Sequence, residues 1–173
     1  MKWTIQRTLP LIFAALVAGC GLTQSVTDGT KDVAKAVFYK KVKTVHLEFR
    51  ARAELNSDED GMSLATRVQV FTLKDRHVFD KADYNTLISD AEHALSTDLV
   101  AKKEVQIRPQ QTLAFTMPMD EQAQFVAIVA QYRTPDFRKN DWRLVLSRNE
   151  LDPDKARAVE VAKYAVQLKQ ASN

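Results

Sequence analysis

The sequence predicts a mainly β protein whose principal domain is a β-sandwich of about 130 residues. Short extended runs recur between turn-forming residues, one internal segment alone has clear helical periodicity, and strands do not alternate with helices as in βαβ units. The chain has 173 residues, of which 45% are hydrophobic and 27% charged, with four Gly and five Pro. This composition is typical of a folded domain and excludes the collagen-like and disordered classes.

The first 20 residues have the organisation of an export signal. Lys2 and Arg7 precede an apolar run over residues 9–18, which has about half of the roughly 20 residues that a membrane-spanning helix needs. An apolar run of this length after a basic head is typical of a cleavable signal peptide. We therefore predict that residues 1–19 are removed.

The single cysteine of the chain stands directly after this segment. The order Leu16-Val17-Ala18-Gly19-Cys20 resembles the lipobox of bacterial lipoproteins, in which the thiol takes a diacylglyceryl group and the freed amine is acylated, for example by palmitate. One acyl chain binds a membrane only marginally, whereas two or more anchor it stably. Cys20 is thus the predicted lipidation site, and a chance cysteine after an ordinary signal peptide is the alternative.

The next residue, Gly21, also bears on location. An Asp at this position resembles a signal for retention in the inner membrane of enterobacteria, so Gly21 favours the outer membrane in a host of that type. The predicted location is the outer membrane, lipid-anchored and facing the periplasm.

The basic character of the precursor comes largely from the signal peptide. The whole chain has a formal charge of +3 and a pI near 9.0, which favours anionic partners. Removing Lys2 and Arg7 leaves 25 − 2 = 23 bases against 22 acids, a charge of +1. The densest remaining basic group is interpreted as a solvated face, and no nucleic acid partner is predicted; its members are Lys40, Lys41 and Lys43.

Residues 20–41 are predicted to form a lipidated tether that ends in a short helix. Thr30 is a candidate N-cap. Four apolar residues follow at helical spacing: Val33, Ala34, Val37 and Phe38. We expect this stripe to dock on the domain, with the membrane surface as the alternative.

The β-sandwich domain is predicted over residues 42–173. Apolar and polar residues alternate over 45–55, which indicates a strand with one buried face, and turn formers follow at 56–61. A second strand is predicted over 66–73, where Val70-Phe71 indicates a bulge or burial on both faces. Further extended runs are predicted at 104–107, 112–117, 125–132 and 142–146, and the apolar residues 125–130 form the predicted central strand.

Two other segments complete the domain. A helix is predicted over 80–97 with Asp80 as N-cap. Its apolar stripe consists of Tyr84, Leu87, Ile88, Ala91 and Leu95. After residue 152 the pattern suits either a helix starting at Asp152-Pro153 or two short strands, of which we favour the strands.

Motifs for catalysis are lacking in the sequence. His46, His77 and His93 are far apart, and no HExxH, CxxC, GxSxG or P-loop string occurs. Residues distant in sequence can still meet in space, so this is weak evidence on its own. The motifs by themselves therefore indicate no reaction, and no cofactor is predicted.

One run resembles part of a metal site. Residues 56–61 match the first six positions of a calcium loop, but Arg67 stands at position twelve, where a bidentate Glu is needed. A guanidinium has no lone pair for a cation. An acidic turn is therefore the favoured interpretation, and no metal site is predicted.

The order of these features resembles the outer-membrane lipoproteins of type VI secretion systems, the TssJ (SciN) family. The lipobox, the loop after the first strand, residues 79–83, the strand at 125–133 and Trp142-Arg143 carry the resemblance over nearly the whole chain. It implies a transthyretin-like β-sandwich with an inserted helix, and no enzymatic activity. It also implies binding to the periplasmic C-terminal domain of the inner-membrane protein TssM, in a complex that contains TssL.

In that family the loop between the first two strands contributes to contact with TssM. The resemblance assigns this role to eight residues: Asn56, Ser57, Asp58, Glu59, Asp60, Gly61, Met62 and Ser63. We expect the three acids to form a negative rim and Met62 to supply an adaptable apolar contact. The alternatives are a pilotin-like accessory module of another envelope assembly and a periplasmic enzyme.

Overall fold

The structure is a computed structural model that describes residues 42–169. The predicted signal peptide, Cys20 and the tether with its short helix therefore lie outside the described residues. Within the described range, eight strands form two four-stranded sheets that enclose one hydrophobic core, and the predicted β-sandwich is confirmed. The strands are β1 Thr44–Ala51, β2 Thr66–Leu73, β3 Leu99–Ile107, β4 Thr112–Pro118, β5 Phe125–Ala130, β6 Arg143–Ser147, β7 Arg157–Val161 and β8 Val166–Leu168.

The first sheet has the order β4-β1-β7-β8, and β1 pairs antiparallel with β4 and parallel with β7. The predicted alternation in β1 is present, because Val45, Leu47 and Phe49 are fully buried while the side chains between them are more exposed. The outer face of this sheet is polar. Its inner face supplies half of the core.

The second sheet has the order β3-β2-β5-β6 and is antiparallel throughout. The two inner strands, β2 and β5, are buried on both faces, as predicted, because helices cover the outer face of this sheet. The Phe71 and Phe79 rings lie 6.3 Å apart between strand and helix. The register of β2 against β3 also shifts between Thr72 and Leu73.

The helical segment corrects the prediction of one helix over 80–97. It consists of α1 His77–Lys81, α2 Tyr84–Ser89 and α3 Ala91–Ala94. Asp80 lies inside α1, and the N-cap of α2 is Asp83, whose carboxylate accepts the Thr86 N–H at 3.0 Å. These bonds lower the pKa of Asp83. An extended Ala82 and the irregular backbone of Asp90 interrupt the helix, although four members of the stripe are buried: Tyr84, Leu87, Ala91 and Leu95.

Two strand boundaries differ from the prediction by four or five residues, and others differ by one or two. The strand predicted over 45–55 ends at Ala51, because the chain then turns and the Leu55 N–H donates to the Arg52 carbonyl at 3.2 Å. Leu55 is still fully buried, but within that turn. β3 begins at Leu99, five residues before the predicted 104–107. The prediction missed these residues because charged side chains at the sheet edge interrupt the apolar pattern. The two favoured C-terminal strands are confirmed as β7 and β8.

The connections gather at two opposite ends of the sandwich. We call the first the entry end, because the described chain begins there; it comprises Val42, residues 119–124 and residues 148–156. The far end comprises four loops at 52–65, 108–111, 131–142 and 162–165. The eight residues of β1 run from one end to the other, a length of about 25 Å at 3.3 Å per residue.

Candidate partner-binding surface at the far end

The predicted binding loop, residues 56–63, lies at the far end and is shaped by one carboxylate. Asp58 Oδ1 accepts the N–H groups of Asp60 at 3.1 Å and Met62 at 2.8 Å. The Asp58 N–H in turn donates to the Met62 carbonyl at 3.0 Å. Gly61 closes the turn at φ 78°, a left-handed conformation that glycine adopts without steric cost. Asp58 therefore positions the loop, and its side chain is only 21% exposed.

The base of the loop is buried and joins two neighbouring loops. The Asn56 N–H donates to the Lys163 carbonyl at 3.0 Å, and Asn56 Oδ1 accepts the Arg133 N–H at 2.9 Å. The Ser57 hydroxyl donates to the Glu54 carbonyl at 2.8 Å. Asn56 and Ser57 thus act within the protein, and their side chains are withdrawn from solvent.

The exposed part of the predicted site is its tip. Glu59, Asp60 and Gly61 are exposed, and Met62 is 65% exposed, while Ser63 is half-buried. The structure therefore divides the eight residues into a buried base, a positioning aspartate and an exposed tip. Only the tip presents charge and apolar surface to a partner.

A second loop meets the first, and the sequence did not indicate its part in the surface. In the loop over 131–142, Arg133 Nη1 lies 3.8 Å from Asp58 Oδ2, and Phe137 is 61% exposed. The Phe137 ring meets the Tyr84 ring edge-on, with 5.8 Å between centroids. The turn formers Pro135-Asp136 signal an ordered turn here, but no sequence pattern signals an exposed phenylalanine.

Two tyrosines fix this second loop from below. The Tyr132 hydroxyl donates to the Ala165 carbonyl at 2.6 Å, and the Tyr84 hydroxyl donates to the Tyr132 carbonyl at 2.7 Å. Burial, with a smaller contribution from the Asp141 charge, raises the pKa of Tyr132 well above its usual value. Its hydroxyl therefore stays protonated as a hydrogen-bond donor at neutral pH.

A shallow depression of about 350 Å³ separates the two loops. Arg67 and Arg133 line it, together with Asn56 and Tyr132. Arg67 Nε donates to Gln131 Oε1 at 2.9 Å. Both arginines also face acidic side chains, at 3.7 Å for Arg67 and Glu104 and at 3.8 Å for Arg133 and Asp58.

Side-chain oxygens of the calcium-like run are already occupied by main-chain N–H groups. The Asn56 amide oxygen and the Asp58 carboxylate both accept backbone N–H groups, which leaves fewer oxygen lone pairs for a cation. Across residues 42–169, no group of three or more His, Cys, Asp or Glu side chains is placed to hold a metal ion. His46, His77 and His93 lie on β1, α1 and α3 respectively.

The pair Trp142-Arg143 lies in and beside the core, where it supports the fold. Trp142 is buried against Tyr84, with 5.1 Å between ring centroids. The Arg143 guanidinium donates to three carbonyls around α1 at 2.9–3.1 Å, which belong to Phe79, Asp80 and Ala82. Burial lowers the pKa of Arg143.

The described part of the chain contains no helix that is long and apolar enough to cross a membrane.

Comparison with known proteins identifies clear relatives. The family model described as type VI secretion lipoprotein (T6SS-SciN; VasD, EvfM, TssJ) matches residues 43–170. A chain in a structure described as the type VI secretion protein TssM C-terminal domain from EAEC is 38% identical, with a TM-score of 0.69 over 75% of this chain and 100% of that chain. The search of curated proteins gives no significant match.

Two further solved structures are similar. A chain in a structure described as a type VI membrane complex is 39% identical, with a TM-score of 0.71 over 75% of this chain and 99% of that chain. The type VI secretion lipoprotein TssJ1 from Pseudomonas aeruginosa is 26% identical, with a TM-score of 0.62 over 76% of this chain and 99% of that chain. The match to the family model covers the sandwich and all four loops of the far end.

Proposed function

The chain belongs to the type VI secretion lipoprotein family, and from this premise we propose that it links the outer membrane to the inner-membrane part of the secretion apparatus. Its partner in this proposal is the periplasmic C-terminal domain of TssM, in a complex that also contains TssL. The observation that carries the proposal is the 38% identity to a chain in a structure described as the TssM C-terminal domain. The family is a structural component of secretion, and we propose no enzymatic step.

The proposed anchor is acylated Cys20 in the outer membrane, after removal of residues 1–19 and with residues 20–41 as tether. The direction of the sandwich supports this arrangement. The described chain starts at Val42 at the entry end, and the exposed loop tips lie about 25 Å away at the far end. A lipid anchor that precedes the entry end leaves the far end free for a periplasmic partner.

Within the loop 56–63 the proposed contacts are at the tip. Glu59 and Asp60 offer uncompensated negative charge, which steers a basic partner surface, and Met62 offers an apolar side chain that adapts to its surroundings. Asn56 and Asp58 act indirectly by holding the tip in place. A preorganised loop loses less conformational entropy when it binds.

The loop proposal is tested by replacing residues 57–63 with two glycines. The Leu64 N–H donates to the Leu55 carbonyl at 3.0 Å across the loop base, so a short bridge spans the gap. With the full-length lipoprotein in detergent, we expect the affinity for the purified TssM periplasmic domain to fall by about tenfold or more. Unchanged affinity in isothermal titration would remove the loop from the interface.

A charge-reversal pair provides the matched control. Glu59→Lys reverses a charge at the far end, and Asp154→Lys reverses an exposed charge at the entry end. We expect only Glu59→Lys to slow association with TssM, because a rim charge acts mainly on the association rate. Equal rates for both variants would contradict a negative rim at the loop tip.

The anchoring proposal is tested separately with Cys20→Ser. This variant lacks the thiol that receives the lipid, so we expect it to leave the outer-membrane fraction and to abolish secretion. Its affinity for the TssM periplasmic domain should stay at the wild-type level. Retention of Cys20→Ser in the outer-membrane fraction would contradict the proposed lipid anchor.

A further inference from the structure

We propose that Phe137, in the loop over 131–142, is a second anchor for the periplasmic domain of TssM. The inference rests on the proposed function and extends it from the loop 56–63 to a neighbouring loop. It assigns the partner an apolar recess that receives an aromatic ring, flanked by charges of both signs.

The first observation is exposure. Among residues 42–169, the large hydrophobic side chains that are exposed are Met62 at 65%, Phe137 at 61% and Val78 at 40%. Two of these three lie at the far end, on adjoining loops. Exposed apolar side chains on loops that contact each other are candidates for a protein interaction site.

The second observation is that Phe137 is held in its exposed position. Asp136 Oδ1 accepts the N–H groups of Arg138 at 2.9 Å and Lys139 at 3.2 Å, and the Asp136 carbonyl accepts the Asn140 N–H at 2.9 Å. These bonds close a turn around Phe137. An aromatic side chain on an ordered turn is presented to a partner at little further entropic cost.

The space beneath the ring is already filled. Phe137 contacts Tyr84 edge-on, and Tyr84 is itself packed against Trp142 and bonded through its hydroxyl to the Tyr132 carbonyl. Tyr84 and Trp142 are buried. Phe137 therefore cannot enter the core without displacing two buried rings, and its outer face is open to another molecule.

The third observation is that the two loops form one connected surface. The Asp58 carboxylate accepts the Met62 N–H and lies 3.8 Å from the Arg133 guanidinium, four residues before Phe137. Asn56 Oδ1 binds the Arg133 N–H at the base of both loops. Met62 and Phe137 thus belong to loops that are fixed relative to each other.

The charges around the two apolar side chains favour a protein as the occupant. Glu59 and Asp60 are exposed on one loop, and Arg138 and Lys139 are exposed on the other. An anionic lipid surface would repel the two acids. Charges of both signs around apolar anchors match a protein surface with complementary charges.

The test compares Phe137→Ala and Phe137→Leu with the wild type in the full-length lipoprotein in detergent. Titrated with the purified TssM periplasmic domain, Phe137→Ala should bind about tenfold or more weakly, and Phe137→Leu should lie between it and the wild type. Val78→Ala is the matched control, since Val78 is exposed on α1, and its affinity should not change. Thermal unfolding of each variant reports whether it is folded.

Three outcomes would overturn the inference. If replacing residues 57–63 weakens binding and both Phe137 variants bind like the wild type, Phe137 is not an anchor and the proposed function stands. If the wild type itself does not bind TssM, the proposed function and this inference fail together. If Phe137→Ala keeps its affinity for TssM but alters self-association in sedimentation velocity, the ring contacts a second copy of the chain.

Discussion

The two ends of the sandwich join their loops by different chemistry. At the entry end the guanidinium of Arg148, which is 6% exposed, donates to the carbonyls of Val42 at 2.7 Å, Asp120 at 2.8 Å and Ala123 at 2.6 Å. At the far end Asn56 joins three loops, because its neutral side-chain amide accepts the Arg133 N–H and its main-chain N–H donates to the Lys163 carbonyl. Both devices bind a buried polar side chain to the main chain.

The difference lies in what each end leaves exposed. The entry end gathers carbonyl groups around a buried cation, which satisfies main-chain acceptors where the chain enters the domain. The far end joins its loops through the neutral side chain of Asn56 and the Asp58–Arg133 ion pair, and it leaves Met62 and Phe137 in solvent. We interpret the entry end as a region that stabilises the fold and the far end as a contact surface. Variants at the entry end should therefore change mainly the free energy of unfolding, and variants at the far end should also change the affinity for TssM.

The largest expected effect is on stability at the entry end. Arg148→Met removes the donors to the carbonyls of Val42, Asp120 and Ala123, and should lower the free energy of unfolding by about 3 kcal/mol. Arg138→Met, at an exposed position, is the control and should change it by less than about 0.5 kcal/mol. Urea unfolding followed by circular dichroism measures both. Equal midpoints for the two variants would contradict the structural role of Arg148.

The next effect tests whether the far end is a preformed surface. Asn56→Ala removes the acceptor of the Arg133 N–H and places alanine at φ 48°, so it should cost about 2 kcal/mol of stability. Asn56→Gly keeps the backbone conformation and loses only the side-chain bond. Both variants should also bind TssM more weakly, because the loops are no longer held together. Loss of stability without any loss of affinity would contradict a positioning role for Asn56.

A smaller effect concerns Tyr132 and depends on pH. Tyr132→Phe removes the hydroxyl bond to the Ala165 carbonyl and should lower the free energy of unfolding by about 1 kcal/mol at neutral pH. Burial raises the pKa of Tyr132 above 10.0, so the unfolded chain loses this proton first and the stability that it provides falls as the pH rises past 10.0. The wild type should therefore lose stability in alkaline solution more steeply than Tyr132→Phe. If the free energy of unfolding of both proteins falls equally with pH, the pKa of Tyr132 does not change on folding.

The smallest effect lies at the entry end, in the capping box of the short 3-10 helix Arg148–Glu150. The Glu150 carboxylate accepts the Ser147 hydroxyl and the Ser147 N–H, which lowers the pKa of Glu150 below 4.5. Its contribution is present above pH 4.5 and is lost as the pH falls through the lowered value. Because the group faces solvent, Glu150→Gln should cost only about 0.5 kcal/mol at pH 7. Unfolding measured from pH 7 to 3 should show this difference shrinking, and a constant difference would contradict it.

Local sequence patterns correctly predicted the elements in which the burial of a residue follows from its neighbours along the chain. The alternation in β1 and the unbroken apolar run of β5 are of this kind. The interrupted helix was missed because Asp83, three residues after Asp80, competes for the same capping role, and only the bond to the Thr86 N–H decides between them. The early part of β3 was missed because Lys102 and Lys103 lie on an edge strand, where charged side chains reach solvent.

The candidate site was likewise predicted only where local sequence determines it. The turn formers and acids at 56–61 were visible as an exposed loop in the sequence. The division of this loop into base and tip was not visible, because the partner of the Asn56 side chain, Arg133, is 77 residues away. The exposure of Phe137 was not visible either, because it depends on the neighbouring rings of Tyr84 and Trp142 in space.

The sequence by itself determined the two-sheet class of the domain and the order of its strands along the chain, because alternation and turn chemistry act over a few residues. It also predicts the lipid anchor at Cys20, since a lipobox is a property of the linear chain. Only the tertiary structure decided which loops meet and which apolar side chains stay in solvent. Phe137 is exposed because Tyr84 and Trp142 already occupy the space beneath it, and burial depends on such neighbours in space rather than on the residue's own hydrophobicity.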